Sequence, residues 1–140
     1  MLQVPHMGGR YANLNWHDPN LEAVIEVYSE WGEFDWFLRQ ALAKGYRVGF
    51  TAGSDDHKER PGAAPPGSGS FGVYGGLTYI WAEERTRQGL WRALKVRRYY
   101  GTTGPRIRLE VTADEWPMGT EFTTDEPPGI RVQVWRNSAY

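Results

Sequence analysis

The chain has 140 residues and a mass of 16.0 kDa, room for one domain with a sizeable core and too little for a complete (β/α)₈ barrel, which takes roughly 250 residues. Sixteen Lys+Arg against 17 Asp+Glu leave a net charge of −1, which argues against a wholesale polyanion binder, and 40% hydrophobic residues exclude the disordered class. With no cysteine there is no disulfide framework, no thiolate zinc site and no cysteine nucleophile, and the compartment, cytoplasmic or periplasmic, stays open. No apolar run is long enough to cross a bilayer, and the opening Met1–Arg10 lacks a signal-peptide pattern, so no membrane partner is expected.

Taken in chain order, Leu2–Pro5 is a short extended run ending at His6. Asn13–Asn20 reads as loop. Ala23–Tyr28 is β-branched and apolar enough to be a strand buried on both faces. Phe34, Phe37, Leu38, Ala41 and Leu42 then recur at helical spacing, and Gly45 suits the residue that closes such a helix. Tyr46–Ala52 returns as a strand and runs into Gly53-Ser54-Asp55-Asp56-His57. From Arg60 to Gly76 nine of 17 residues are Gly or Pro, which predicts an ordered loop packed beside whatever site the strand ends form. Leu77–Ala82 is a further strand, and Thr86 is the expected N-cap of a helix through Arg97 with Leu90, Trp91, Ala93 and Leu94 facing inward. Past Gly104-Pro105 the pattern changes: 107–111 and 130–134 alternate apolar with polar residues, as antiparallel strands with one solvated face do. The expected division is therefore 1–104 and a β-rich 105–140, the latter the start of a second domain.

Charge is segregated. Glu83–Arg108 carries eight basic residues against two acidic ones, and Glu110–Glu126 carries six acidic residues and no basic one. The basic stretch is the one candidate for a polyanion-facing surface. Its interleaved Leu90, Trp91 and Leu94 fit an amphipathic helix with a solvated basic face better, and no nucleic-acid motif accompanies it.

The chemistry-bearing residues gather at strand ends. Asp55 and His57 follow a predicted strand through a Gly-Ser turn, and ligands of parallel α/β folds collect at the carboxyl ends of strands. A carboxylate and an imidazole two residues apart in extended chain point to one side and can share a metal. His6 also ends a strand, and a capping Asp55 beside a surface His57 is the plainer alternative. His17 sits in a loop, where a turn contact competes with a role near the site. Arg10 follows the glycines after His6 and suits an anionic substrate as well as it suits solvent. Seven tryptophans invite a second reading, a non-catalytic carbohydrate-binding module, in which Trp16 and Trp31 are the rings able to reach a ligand.

Val4-Pro5-His6-Met7-Gly8-Gly9, Ile25-Glu26-Val27-Tyr28-Ser29 and Gly53-Ser54-Asp55-Asp56-His57, with Arg60-Pro61-Gly62, Gly72–Leu77 and Arg97–Gly104, resemble the later motifs of the polymerase-and-histidinol-phosphatase (PHP) superfamily of metal-dependent hydrolases, in its uncharacterised predicted-phosphoesterase branch. The resemblance fades beyond Gly104. It implies an α/β fold, the C-terminal half of a distorted TIM-like (β/α)₇ barrel, followed here by a short antiparallel β segment. It also implies divalent metal ions (Zn, Mn or Fe) held by His6, Asp55 and His57. Asp56 is the candidate base or supporting residue, and the substrate is a small-molecule ester, phosphate esters first. Glu26 matches a motif position as well, and metal contact, substrate positioning and support of the site all stay open for it. The superfamily's opening His-x-His motif has no counterpart here, so the chain is expected to be a fragment with weak activity of its own. Unpaired strand edges would make it prone to self-association.

Overall fold

A computed structural model describes residues 1–6, 12–57 and 75–136. Val24, Ile25 and Val27 are stiff at χ1 and fit a pleated surface, and they form β1 (Val24–Ser29). β1 meets the two-residue β2 (Gly32–Glu33) in an antiparallel hairpin and β3 (Gly49–Ala52) in parallel, with Val24 opposite Gly49 and Glu26 opposite Thr51. The helix α1 (Asp35–Ala43) makes the crossover between the parallel strands. Its Phe37 and Ala41, one turn apart, are buried against Ile25, Val48 and Leu14, while Leu42 turns outward. Gly45 closes the helix with a left-handed φ of 73°. Asn13–Asn20 is more ordered than a loop: Leu14–Trp16 is a 3₁₀ turn whose Asn13 side chain accepts a hydrogen bond from the Asn15 N–H.

The other face of β1 carries a second core in which Val24 and Ala23 pack with Tyr99, supported by Leu2, Ile80 and Leu94. It comes from β4 (Leu77–Ile80), α2 (Arg87–Lys95) and β5 (Tyr99–Thr102), with β4 and β5 paired antiparallel. Thr86 caps α2, its hydroxyl accepting from the Gly89 N–H at 3.0 Å. The helix presents its small residues, Gly89 and Ala93, to the protein and leaves Leu90 exposed. A Cβ at Gly89 would stand 2.3 Å from the Glu84 carbonyl, so the turn before the helix lies where a larger face would go.

Two glycines set how closely these layers approach. A Cβ at Gly49 would lie 2.4 Å from the Tyr99 hydroxyl, and one at Gly101 would lie 2.9 Å from Ala52 Cβ. Tyr99 crosses over Gly49 and donates its hydroxyl proton to the Ala23 carbonyl at 2.8 Å, and burial pushes its phenol well above the usual tyrosine range.

The third sheet is antiparallel, ordered β7 (Trp116–Pro117), β6 (Ile107–Ala113), β8 (Ile130–Arg136). The Tyr100 hydroxyl joins it to the body, donating to the Ile107 carbonyl and accepting from the Leu109 N–H, both at 2.7 Å. Trp81 donates its indole N–H to the Leu109 carbonyl, and Arg108 lies between the Trp81 and Trp135 rings at 4.9 and 4.8 Å.

This arrangement corrects the expected half-barrel. Half of a (β/α) barrel would align successive parallel strands in one curved sheet. Among the described residues only β1 and β3 pair in parallel, every other pairing is antiparallel, and the strands divide among three small sheets with two helices. The physical reason lies at the glycines: β5 approaches β3 closely through Gly101 over Ala52 without joining its hydrogen-bond ladder. Gly49→Ala is expected to cost about 1–3 kcal/mol of folding stability, read as a lower urea midpoint at unchanged slope, because Tyr99 must yield. An unchanged midpoint would contradict the close packing of these layers.

Candidate functional site

The parallel register of β1 and β3 continues beyond the strands themselves. The Gly53 N–H donates to the Tyr28 carbonyl at 3.0 Å and the Glu30 N–H to the Ser54 carbonyl at 3.1 Å, so Ser29–Trp31 and Gly53–His57 leave the sheet together at its carboxyl end. The N-terminal run lies along β1, with the Gln3 N–H bonded to the Leu21 carbonyl and the Glu26 N–H to the Pro5 carbonyl. That alignment delivers His6 to Glu26.

Four of the residues singled out in the sequence meet there. His6 faces a carboxylate with each ring nitrogen: Nδ1 bonds the Glu26 carboxylate, and Nε2 lies 3.2 Å from Asp55 Oδ2. The other Asp55 oxygen, Oδ1, is 2.8 Å from His57 Nε2. Glu26 reaches into this chain of contacts because position 53 is glycine, where a Cβ would stand 2.6 Å from Glu26 Oε1. Burial raises the Glu26 carboxyl above its ordinary value; the His6 hydrogen bond and charge oppose this, and the nearby Asp55 adds to it.

The Asp55–His57 segment is not the extended chain expected. Asp55 and His57 both have φ of 53°, a left-handed conformation uncommon for residues with a Cβ, and the His57 ring reaches back to the carboxylate two residues before it. Such backbone strain concentrates at functional sites. Trp31 braces the turn, donating its indole N–H to the Asp55 carbonyl at 3.2 Å with its ring tilted 5.7 Å from that of His57. Asp56 between them is buried.

His17 lies elsewhere. Its side chain is buried, stacked on Tyr46 at 4.1 Å and bonded through Nδ1 to Glu22 at 2.9 Å, a contact that holds the turn before β1. Arg10 and nearly all of the Gly/Pro-rich loop, residues 58–74, lie outside the described residues. The end of that loop returns to the site, where the Gly76 N–H bonds the Gly53 carbonyl at 2.8 Å. Trp16 is 80% exposed on its 3₁₀ turn.

Glu30 did not stand out in the sequence. Its residue is only 3% exposed, and neither carboxylate oxygen has a hydrogen-bond partner among the described residues. The one signal for it was an acidic residue directly after a buried strand, beside Trp31. A cleft of about 1360 Å³ is lined by Tyr28, Phe50, Tyr100, Leu109 and Phe122 among others and by none of the four clustered residues. This cleft and the clustered chemistry do not coincide, and the chemistry locates the site.

Two imidazoles and two carboxylates from three segments are a suitable donor set for Zn, Mn or Fe. Among the described residues no three such side chains form a finished metal-binding group; they bond to one another. Part of the basic stretch is paired within the chain: Arg97 pairs with Glu121, Arg92 with Glu84 and Arg108 with Glu110. No helix among the described residues is long and apolar enough to cross a membrane.

Comparison with known proteins corrects the superfamily resemblance. Residues 66–126 match a family described as a protein of unknown function (DUF3604). An uncharacterised protein of Chlamydia pneumoniae is 30% identical over 146 residues, covering 81% of this chain and 22% of that protein. An uncharacterised protein of Chlamydia trachomatis serovar D is 29% identical over 142 residues, 86% of this chain and 22% of its own length. One of Chlamydia muridarum is 29% identical over 140 residues, with shares of 84% and 22%. The chain thus spans about a fifth of these relatives' length. No solved structure matches. These matches are to proteins of unknown function, and the PHP assignment is withdrawn. The family match begins after His57, so it does not bear on the clustered residues.

The raised Glu26 carboxyl sets a pH dependence with a definite sign. Its contribution to stability is fully present below the ordinary value of 4.5 and is lost as pH rises through its higher folded value. In urea titrations with chelator present, the stability of the parent relative to Glu26→Gln is expected to fall from pH 4 toward neutrality, and a rise over that range would contradict the burial.

Proposed function

We propose that the cluster is a divalent-metal site of a hydrolase, with His6, Asp55 and His57 holding the ion and an ester, phosphate esters first, as substrate. The observation that supports this most is the chain of contacts Glu26–His6–Asp55–His57, in which two imidazoles and two carboxylates lie at the carboxyl end of a parallel strand pair. A bound divalent ion would supply a water of lowered pKa and polarise the ester oxygen. The remaining work falls to the chain. Glu26 bonds the His6 ring nitrogen and fixes that ring's orientation, as carboxylates do behind metal-ligating histidines. Asp56, buried and between Asp55 and His57 in the chain, is the candidate base. Trp31 holds the Asp55 carbonyl through its indole N–H, with its ring 5.7 Å from that of His57. Glu30, buried directly after β1, is bonded through its backbone N–H to the Ser54 carbonyl, beside the segment that carries Asp55 and His57.

A carbohydrate-binding reading draws on Trp16, which is free to stack, and predicts saturable sugar binding that quenches its fluorescence. The metal reading predicts that this chain binds Zn or Mn stoichiometrically in calorimetry, that Asp55→Asn and His57→Ala each weaken binding tenfold or more, and that Trp16→Ala leaves it unchanged. Hydrolysis of p-nitrophenyl phosphate by a longer protein containing this chain should stop with chelator and with His57→Ala. Metal binding indifferent to both site substitutions would overturn the assignment.

A further inference from the structure

We propose that β8 is a self-association edge, through which two copies of this chain pair antiparallel along Ile130–Arg136 into one continuous sheet. Among the described residues β8 is the last strand of its sheet, and all seven of its residues are exposed. Ile130, Val132 and Val134 form an apolar row on one face, 64%, 55% and 59% exposed. The strand holds no proline and no bulge, and its register with β6 runs unbroken from Ile107↔Arg136 to Ala113↔Ile130; its charged residues are Arg131 and Arg136.

The ladder shows which backbone groups are open. The Asp114 N–H bonds the Gly129 carbonyl at 2.8 Å in the same register, so the hydrogen-bonded pairs of β6 with β8 recur at every second position: Thr112 with Arg131, Glu110 with Gln133, Arg108 with Trp135. The amides and carbonyls of Ile130, Val132, Val134 and Arg136 therefore point away from β6, to the open side.

A second copy fits that side in full overlap. Placed antiparallel about a two-fold axis at Gln133, the strand sets Val132 opposite the partner copy's Val134 and Ile130 opposite its Arg136, each pair exchanging both of its backbone hydrogen bonds from groups that now face outward. On the other face Arg131 comes opposite the partner copy's Trp135, a cation–π pair made twice by symmetry, and the two Gln133 amides face each other. No like charges stand directly opposite. Even and odd residues keep their faces across the junction, so the valine row continues from one copy into the next. This self-complementarity favours a second copy over an unrelated strand.

The test is sedimentation velocity of the chain over a range of micromolar concentrations, with a concentration-dependent dimer expected. Val134→Pro removes an outward N–H and no β6 bond, and should weaken the dimer at least tenfold. Because proline can disturb the fold, Gln133→Cys provides an independent readout in a chain with no other cysteine. At the two-fold axis, residue 133 is a non-hydrogen-bonded pair with Cα atoms about 4.5 Å apart, close enough to bridge by a disulfide. Gln133→Cys should thus oxidise to a disulfide-linked dimer at least tenfold faster than Glu126→Cys in the exposed turn. A chain that stays monomeric, a dimer indifferent to folded Val134→Pro, or equal crosslinking at the two positions would overturn the proposal.

Discussion

The parallel pairing of Val24–Ser29 with Gly49–Ala52 is the constraint on which the other features rest. On one face of the pair, Ile25 and Val48 close a core over α1, and on the other Val24 closes a core with Tyr99 and α2. Beyond the strands, the same alignment holds Ser29–Trp31 beside Gly53–His57 through two backbone hydrogen bonds. Parallel strands end on the same side, so carboxylates and imidazoles from distant parts of the chain are brought to one edge with little help from flexible loops. The N-terminal run, bonded along β1, adds His6.

Charge plays a quieter part. The opposite-sign stretches meet in space: Glu121 receives Arg47 at 2.8 Å and also pairs with Arg97, fastening the segment between β7 and β8 to the body. These pairs are substantially exposed, and each contributes on the order of 0–1 kcal/mol. The firmer joints are buried hydroxyls and aromatic rings, the Tyr100 hydroxyl between Ile107 and Leu109 and the Arg108 guanidinium between two indoles. An arginine held in this way is a packing element.

Much of the local structure was legible in the sequence. The β-branched run around Val24–Val27, the helical spacing of Phe37 and Ala41 and the Thr86 cap each state a local preference that packing upheld, and 107–111 and 130–134 lie in antiparallel strands as expected, although β8 is exposed on both faces instead of one. The arrangement of sheets was not legible, because it depends on what Gly49 and Gly101 allow to approach them, and a glycine does not name its neighbour. The half-barrel that the superfamily resemblance implied failed for the same reason. At the site, strand-end position was enough to single out His6, Asp55 and His57, whereas Glu26, inside its strand, was singled out only by its match to a family motif. Asp and His enter the left-handed region more readily than most residues with a Cβ, a signal too weak to read at Asp55 and His57, and the pairing of His17 with Tyr46 spans 29 positions with no periodic signal. The buried state of Glu30 depends on chain packed around it from several segments, which residue type alone does not announce.

The central claim is that this strand-end cluster holds a divalent ion. It is tested most directly by anomalous diffraction from crystals of the chain grown with Mn or Zn. The account predicts one strong anomalous feature within coordination distance of His6, Asp55 and His57, with the direct contacts of His6 and His57 to Asp55 rearranged around it. Saturating metal that binds elsewhere on the surface, with those contacts unchanged, would contradict it.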